Sequence, residues 1–244
     1  MIEVKGISKQ YGALKAVENL SFVAPDGEIT ALLGVNGAGK TTSLRMIYSL
    51  IKPESGSVSI DGFNPHKTPQ KALSRLGVLP DARGLYTRLT AEENIHYFGQ
   101  LHGMSKHQLK QRTAVLVESL DMNDIIHRKT EGFSQGQRVK VALARALIHD
   151  PPNIILDEPT NGLDVLSTRS LRRFLLAERM RGKCIVFSSH IMQEVAAVSD
   201  NIVVMHGGSA CAHGSERYLM EQSETDNLED AFVALTYGER ECGQ

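Results

Sequence analysis

The residues best suited to chemistry form a glycine-rich loop near the start of the chain. Residues 34–42 read GVNGAGKTT, which matches the pattern G-x-x-x-x-G-K-[ST] between an apolar run, ITALL, and a helical segment, SLRMIYSL. Backbone N–H groups in such a loop surround phosphate oxygens, and the following helix favours their negative charge. We expect Lys40 to reach the β- and γ-phosphates of a nucleotide and the Thr41 hydroxyl to bind Mg²⁺. The other predicted nucleotide-binding positions are Gly34, Val35, Asn36, Gly37, Ala38, Gly39 and Thr42.

Two carboxylates follow an apolar run much later in the chain. Asp157 and Glu158 come directly after NIIL at 153–156, and functional groups gather at the carboxyl ends of parallel strands. We expect Asp157 to hold the magnesium, directly or through water, and Glu158 to act as general base for the attacking water. A solvated turn is the alternative for such a pair taken alone, but the loop at 34–42 favours catalysis.

His190 is a third candidate, because it also follows an apolar run. The run KCIVF at 183–187 ends in Ser188, Ser189 and His190. A lone histidine is more often structural than functional. Its place after another predicted strand favours a neutral imidazole that contacts the γ-phosphate or orients the attacking water.

The order of apolar runs predicts the elements that position these groups. Short runs at 29–33, 76–79, 153–157, 183–187 and 201–205 alternate with segments of helical period, which predicts a largely parallel, doubly wound α/β sheet. The segments IEVKGI, AVENLSFV and SVSIDG alternate apolar and polar residues, with turn signals at 25–27 and 54–56. They predict a small antiparallel sheet.

A helical segment separates the two halves of the core. AEENIHYFGQLHG and KHQLKQRTAVLVESL carry apolar residues at helical spacing, so we expect a helical subdomain over about 88–150. The C-terminal tail, about 215–244, contains NLEDAFVALT, an amphipathic helix that follows an acidic segment and is typical of a packing element. We expect residues 1–244 to form a single domain.

Composition excludes some classes of protein. The 244 residues are 41% hydrophobic, and 27 basic against 28 acidic residues give a net charge of -1, so nothing favours nucleic acid as a partner. Cys184, Cys211 and Cys242 lack the spacing of a zinc or redox site and are expected to be free thiols in a reducing cytoplasm. Apolar runs are too short to span a membrane, so we expect a soluble chain.

Taken together, these residues resemble the nucleotide-binding domain of ABC transporters. The segment FSQGQ at 133–137 is similar to the family signature Leu-Ser-Gly-Gly-Gln, and NGLD at 161–164 resembles the D-loop. The resemblance implies ATP as the nucleotide, His190 as the switch histidine and Tyr11 as the aromatic that stacks on adenine, although a packed aromatic is the alternative. It implies an ABC-type P-loop NTPase core with a small antiparallel β subdomain and an inserted α-helical subdomain. The remaining ATP-binding positions it implies are Ser134, Gly136, Gln137 and Asp164.

The resemblance also implies a homodimer with composite ATP sites. Two copies would sandwich two ATP molecules, each loop facing the signature segment of the other copy. Ser134 and the N–H groups of Gly136 and Gln137 precede the helical segment RVKVALARALIH, and a helix N-terminus suits a γ-phosphate arriving across an interface. A plain helix cap is the alternative for Ser134, with the same geometry.

Two positions depart from the family pattern. Asp81 follows the run LGVLP, where the family usually has glutamine. A carboxylate can still bind Mg²⁺, but it cannot donate a hydrogen bond while ionised, so we expect Asp81 to act as a metal ligand. Gln135 replaces a signature glycine, while Gly136 is retained.

Residues 78–104, the segment FSQGQRVKVALARALIHDP at 133–151 and the ending LEDAFVALT are similar to the ATPase subunit of sodium-extruding ABC exporters, the Nat type. This resemblance implies sodium export through a separate integral membrane permease, with the chain on the inner face of the cell membrane. The permease would dock in a groove formed from Asp81 through the helical subdomain. Export of drugs, polysaccharides or lipids is an alternative. A soluble ABC ATPase of translation or DNA repair is opposed by the single nucleotide domain, and a P-loop kinase or GTPase by the signature segment and His190.

Overall fold

The computed structural model describes residues 1–81 and 84–238 of the chain. Cys242, which we predicted to be a free thiol, lies outside the described residues. The strands are β1 (Ile2–Tyr11), β2 (Leu14–Ala24), β3 (Ile29–Leu33), β4 (Ser55–Ile60), β5 (Leu76–Leu79), β6 (Asn153–Leu156), β7 (Cys184–Ser189), β8 (Asn201–His206) and β9 (Ser209–Gly214). The helices are α1 (Lys40–Ile47), α2 (Pro69–Leu73), α3 (Ala91–Leu101), α4 (Lys106–Ser119), α5 (Gln135–Leu147), α6 (Val165–Met180), α7 (Met192–Ala196), α8 (Glu216–Ser223) and α9 (Leu228–Tyr237).

The larger sheet has the strand order β5-β6-β7-β3-β8-β9. Its strands are parallel except β9, which pairs antiparallel with β8. Alternate residues of β3 contribute to two separate apolar clusters: Ile29 and Leu33 to one, and Leu32 to the other. Both faces of the sheet are therefore covered, which explains the unbroken apolar runs in its strands. The predicted parallel α/β core is confirmed.

The smaller sheet is antiparallel, with the order β2-β1-β4. The turn predicted at 54–56 differs from the structure, because β4 already begins at Ser55. Gly56 has a φ of +79°, and a Cβ atom on it would lie 2.3 Å from the carbonyl of Gly6. The register between β1 and β4 shifts between Lys5 and Ser8. The glycine therefore marks a bulge inside the strand pair, where only a residue without a side chain fits.

Helices α3, α4 and α5 lie between β5 and β6 in the chain, within the predicted helical subdomain of about 88–150. The boundaries of that subdomain stay a prediction. Each of the three helices begins with a capping box, in which the cap side chain and the third helical residue satisfy each other's backbone N–H groups. The three pairs are Thr90 with Glu93, Ser105 with Gln108, and Ser134 with Gln137.

The C-terminal part of the described chain adds α8 and α9. The predicted helix NLEDAFVALT corresponds to α9, with Leu228, Ala231 and Phe232 buried, and it joins the larger apolar cluster. Helix α8 was not predicted, because Leu219 is its one buried residue. Across the described residues, no helix has both the length and the apolar character needed to cross a membrane.

Candidate nucleotide site

The glycine-rich loop joins the end of β3 to the start of α1, in the predicted order of strand, loop and helix. Two glycines allow it to pack against its neighbours. A Cβ atom on Gly34 would lie 2.5 Å from the carbonyl oxygen of Met205. Gly39, with a φ of +99°, would place a Cβ atom 2.4 Å from the carbonyl oxygen of Ala16. A side chain at either position would displace the loop from the core.

Lys40 lies at the base of this loop, with 5% of its surface exposed. Its Nζ donates to the carbonyl oxygens of Gly34 at 2.7 Å and Val35 at 3.2 Å. The same Nζ lies 3.3 Å from Oε1 of Glu158. The loop therefore holds a buried cation, and this cation also contacts the predicted general base.

Asp157 lies at the end of β6 and is almost fully buried, with 1% exposed. Its Oδ1 accepts hydrogen bonds from Thr41 Oγ1 at 3.0 Å and Ser188 Oγ at 2.7 Å. Its Oδ2 is buried and has no hydrogen-bond partner among the described residues. Burial raises the pKa of this carboxyl, and the nearby charges of Asp81 and Glu158 raise it further. A buried oxygen without a hydrogen-bond partner lowers the stability of the fold unless a cation binds it. Asp157 and Thr41 therefore fit a Mg²⁺ site.

Glu158 is oriented by three groups. His190 Nδ1 lies 3.0 Å from Glu158 Oε2, and Lys40 contacts the other carboxylate oxygen. The backbone N–H of Glu158 donates to Ser188 Oγ at 2.9 Å. Its φ of +44° is unusual for a residue with a side chain, and strained backbone of this kind is concentrated at functional sites.

Ser188 is a site residue whose role the sequence did not indicate. Its hydroxyl donates to Asp157 and accepts from the backbone of Glu158, so one group fixes both predicted carboxylates. One feature of the sequence could have indicated this role: Ser188 lies near the end of β7, which pairs with β6 in parallel. The carboxyl ends of neighbouring parallel strands meet at one edge of a sheet.

Lys40, Thr41, Glu158 and His190 line one cleft with a volume of about 390 Å³, whereas Asp157 and Ser188 are not part of its lining. Tyr11 lies on its wall and is 46% exposed, and its stacking on adenine stays a prediction. Asp81 also lines the cleft, together with Thr41, another residue of the predicted metal set. The lining residues are Tyr11, Leu14, Ala16, Asn36, Gly37, Ala38, Gly39, Lys40, Thr41, Thr42, Asp81, Glu158, Asn161 and His190.

The predicted signature residues lie elsewhere. Ser134, Gly136 and Gln137 form the start of α5 and do not line the cleft. Asp164 caps α6, accepting from the N–H of Ser167 at 2.9 Å. A Cβ atom on Gly136 would lie 2.6 Å from Ser167 Oγ. Gly34 and Val35 belong to the loop but do not line the cleft. The other predicted ATP-binding residues lie in two groups, one in the cleft and one at the adjoining N-termini of α5 and α6.

A phosphate loop, a buried acidic pair and a separate signature segment define an ATPase of the ABC class. In agreement, the family model described as "ABC transporter" matches residues 17–161. The chain belongs to this family and is an ATP-binding, ATP-hydrolysing subunit.

Two curated relatives come from Bacillus subtilis (strain 168). "ABC transporter ATP-binding protein NatA" is 44% identical over 222 residues, covering 91% of this chain and 90% of NatA. "Linearmycin resistance ATP-binding protein LnrL" is 32% identical over 228 residues, covering 93% of this chain and 73% of LnrL.

Two solved structures share the fold. One is described as the "Structure of ATP binding subunit of ABC transporter", with a TM-score of 0.88, 30% identity and coverage of 96% of this chain and 99% of that chain. The other is the "Dimeric Structure of MJ0796, a Bacterial ABC Transporter Cassette", with a TM-score of 0.80, 25% identity and coverage of 88% and 98%. The predicted ABC ATPase fold is thereby confirmed.

Proposed function

We propose that the chain is the ATPase subunit of a Nat-type exporter that extrudes sodium ions across the cell membrane. The observation that carries this proposal is the 44% identity to NatA over nine-tenths of both chains. It agrees with the resemblance of residues 78–104 to the Nat type. A drug exporter is the second candidate, favoured by the 32% identity to the linearmycin resistance protein.

The residues of the cleft support a division of labour in ATP hydrolysis. Tyr11 stacks on adenine, the loop at 34–42 surrounds the phosphates, and Lys40 neutralises them. Thr41, Asp157 and Asp81 hold Mg²⁺, which when bound neutralises charge on the phosphate oxygens. Thr41 and Asp157 already share a hydrogen bond of 3.0 Å, so this part of the metal site is preorganised.

Glu158 takes the proton of the attacking water. In the structure it is paired with Lys40 at 3.3 Å and His190 at 3.0 Å. Binding of the nucleotide phosphates draws Lys40 toward their negative charge, because a phosphate carries more charge than the carboxylate it competes with. Glu158 then keeps His190 as its neighbour, and its Oε1 exchanges the ion pair with Lys40 for a hydrogen bond from the water.

The signature segment supports a homodimer as the working form. Ser134 is exposed at the N-terminus of α5 and lies outside the cleft of its own chain. Its hydroxyl accepts from the Gln137 N–H and keeps a proton that it can donate to the γ-phosphate bound by a second copy, at the positive end of α5. The dimeric cassette with 25% identity supports this arrangement.

A second cavity fits the predicted permease contact, and we call it the lobe groove. It has a volume of about 430 Å³ and lies where the end of α1 and the strand β5 face the helices α3 and α5. A docked permease places the chain on the inner face of the membrane. The lining residues are Tyr48, Leu50, Leu73, Leu76, Val78, Pro80, Phe98, His102, Arg145, Ala146 and His149.

Sodium flux in a reconstituted transporter tests the proposal. The chain is purified together with its membrane partner, both are placed in sodium-loaded vesicles, and ATP-driven sodium efflux is measured. We expect efflux with the unchanged chain and none with Glu158→Gln, which retains the fold but lacks the base. Absence of efflux, while another solute such as linearmycin stimulates the ATPase, would assign the cargo to the second candidate.

A further inference from the structure

The lobe groove has an unequal distribution of charge. Its walls carry one arginine and two histidines, and no aspartate or glutamate lines it within the described residues. The rest of the lining is mostly aliphatic or aromatic. A partner that filled this groove with apolar side chains alone would leave the arginine desolvated without compensation.

Arg145 is the charged group of the groove, and it lies on α5. Its Nη1 donates to the carbonyl oxygen of Gly84 at 2.7 Å, and its guanidinium lies 4.6 Å from the ring centre of Phe98. Burial lowers the pKa of this guanidinium, although it stays charged at any physiological pH. No carboxylate within the described parts of the chain forms an ion pair with it.

Two other partly buried arginines, Arg112 and Arg179, differ from Arg145 in this respect. Arg112 contacts Asp150 at 3.0 Å. Arg179 forms an ion pair with Asp200. A partly buried guanidinium that lacks such a carboxylate has donors to spare, and its planar fork is suited to a carboxylate.

Two stacked imidazoles lie beside it in the groove. The rings of His102 and His149 are parallel within 7° and their centres are 3.8 Å apart. Burial lowers the pKa of His102, and burial together with His102 lowers the pKa of His149 to about 4. The pair is therefore neutral at pH 7 and offers hydrogen-bonding groups without competing for the counter-ion of Arg145.

We propose that the lobe groove receives a helical segment of the membrane partner that presents aliphatic side chains to Leu50 and Leu73 and one carboxylate to Arg145. This inference rests on the proposed function, because it specifies the chemistry of the permease segment. Leu50 is 67% exposed, so the apolar wall gains burial on docking. The carboxylate fixes the orientation of the segment in the groove, since it has one cationic partner there.

Binding of matched peptides to the purified chain tests the proposed chemistry. Three labelled helical peptides share one aliphatic sequence and differ at a central position, which is Glu, Gln or Lys. Fluorescence anisotropy measures their affinities. We expect the Glu peptide to bind on the order of tenfold more tightly than the Gln peptide, and the Lys peptide to bind most weakly.

Variants of the chain assign the preference to one residue. Arg145→Gln should abolish the advantage of the Glu peptide, and Arg145→Lys should keep part of it, because the charge remains. Arg217→Gln is the matched control, since Arg217 lies on α8 with 85% of its side chain exposed. Thermal unfolding and basal ATPase activity, which Arg145 does not serve, check that each variant is folded.

Equal affinities of the three peptides, including no binding by any of them, would overturn the inference, as would a Glu preference that survives Arg145→Gln. A different result would contradict the proposed function, namely that the wild-type chain drives no sodium transport with its membrane partner. A transporter that assembles and works equally well with Arg145→Glu would overturn the inference while leaving the proposed function intact.

Discussion

One carboxylate oxygen of Glu158 contacts Lys40 and the other contacts His190. Replacing Glu158 should therefore affect ATP binding and ATP hydrolysis differently. We expect Glu158→Gln to bind ATP at least as well as the wild type, because Lys40 loses the carboxylate 3.3 Å away and turns wholly to the phosphates. Turnover should fall by about 10² to 10⁴, the usual contribution of a general base. Phosphate release and binding of a fluorescent nucleotide measure the two effects. Glu221→Gln, an exposed position on α8, is the control, and undiminished turnover in Glu158→Gln would remove Glu158 from the catalytic role.

Asp81 is the residue that distinguishes this cleft from the family pattern. We expect Asp81→Asn, which removes the charge at constant size, to raise severalfold the Mg²⁺ concentration needed for half-maximal hydrolysis, since oxygen ligands with charge bind this cation best. Binding of Mn²⁺, followed by its paramagnetic resonance spectrum, gives a readout independent of activity. Asp124→Asn, at an exposed position, is the control. If Asp81→Ala leaves the Mg²⁺ requirement unchanged, Asp81 is not a ligand.

At the scale of residues, most of the cleft could be predicted from the sequence, because its main functional groups are neighbours in the chain. The loop at 34–42 and the pair Asp157 and Glu158 are each contiguous, so their spacing carries the information. Ser188 was missed because its role depends on two hydrogen bonds to β6 that only the pairing of β6 with β7 creates. A serine after a strand has many possible environments, and spacing alone does not select one.

At the scale of elements, buried strands were the easiest to predict, because two covered faces require a continuous apolar run. The strand β9 was missed for the opposite reason. It lies at the edge of the sheet, and its sequence SACAHG buries Ala212 alone. Gly56 was interpreted as part of a turn, but it lies in a bulge. Glycine at positive φ occurs in both structures, so its presence alone does not distinguish them.

His149, just after the end of α5, should make the stability of the fold sensitive to acid. The pKa of His149 is about 4 in the folded chain, lowered by burial and by His102, against an ordinary value of 6.5. Between these values the unfolded chain binds a proton that the folded chain does not, so stability falls as the pH falls through this window. We expect His149→Phe to reduce the loss of unfolding free energy between pH 7 and pH 4.5 by about 2 kcal/mol.

Denaturant unfolding at a series of pH values measures this effect. His107→Phe, at an exposed position on α4, is the control and should leave the pH profile unchanged. The aromatic replacement keeps a ring against His102, so the result reports the proton and not the loss of stacking. An identical pH profile in His149→Phe and the wild type would contradict the assignment.

At the scale of the whole molecule, the separation of the predicted ATP-binding residues into two groups supports the proposed homodimer. The cleft is lined by residues of the phosphate loop and by Glu158, whereas the signature segment lies at the N-terminus of α5. Next to it, at the start of α6, Val165 and Leu166 are 69% and 74% exposed. Exposed apolar side chains of this kind are typical of a surface that another molecule covers.

ATP-dependent dimerisation should therefore depend on Ser134 beyond its role as a helix cap. The chain offers a matched comparison, because Ser105 on α4 caps its helix with the same capping box, formed with Gln108. Each serine to alanine change should cost the fold about 1 kcal/mol through loss of the cap. In a Glu158→Gln background, which retains ATP, we expect Ser134→Ala to weaken dimerisation roughly tenfold and Ser105→Ala to leave it unchanged.

Analytical ultracentrifugation with and without saturating ATP measures the dimer, and thermal unfolding confirms that the two alanine variants are equally stable. The comparison separates the two interpretations of Ser134. If its hydroxyl only caps α5, Ser134→Ala should lower stability as Ser105→Ala does and should leave dimerisation unchanged. A monomer in the Glu158→Gln chain at saturating ATP would contradict the composite site itself. Equal dimerisation of both alanine variants would retain the dimer but remove the Ser134 hydroxyl from the contact with the γ-phosphate.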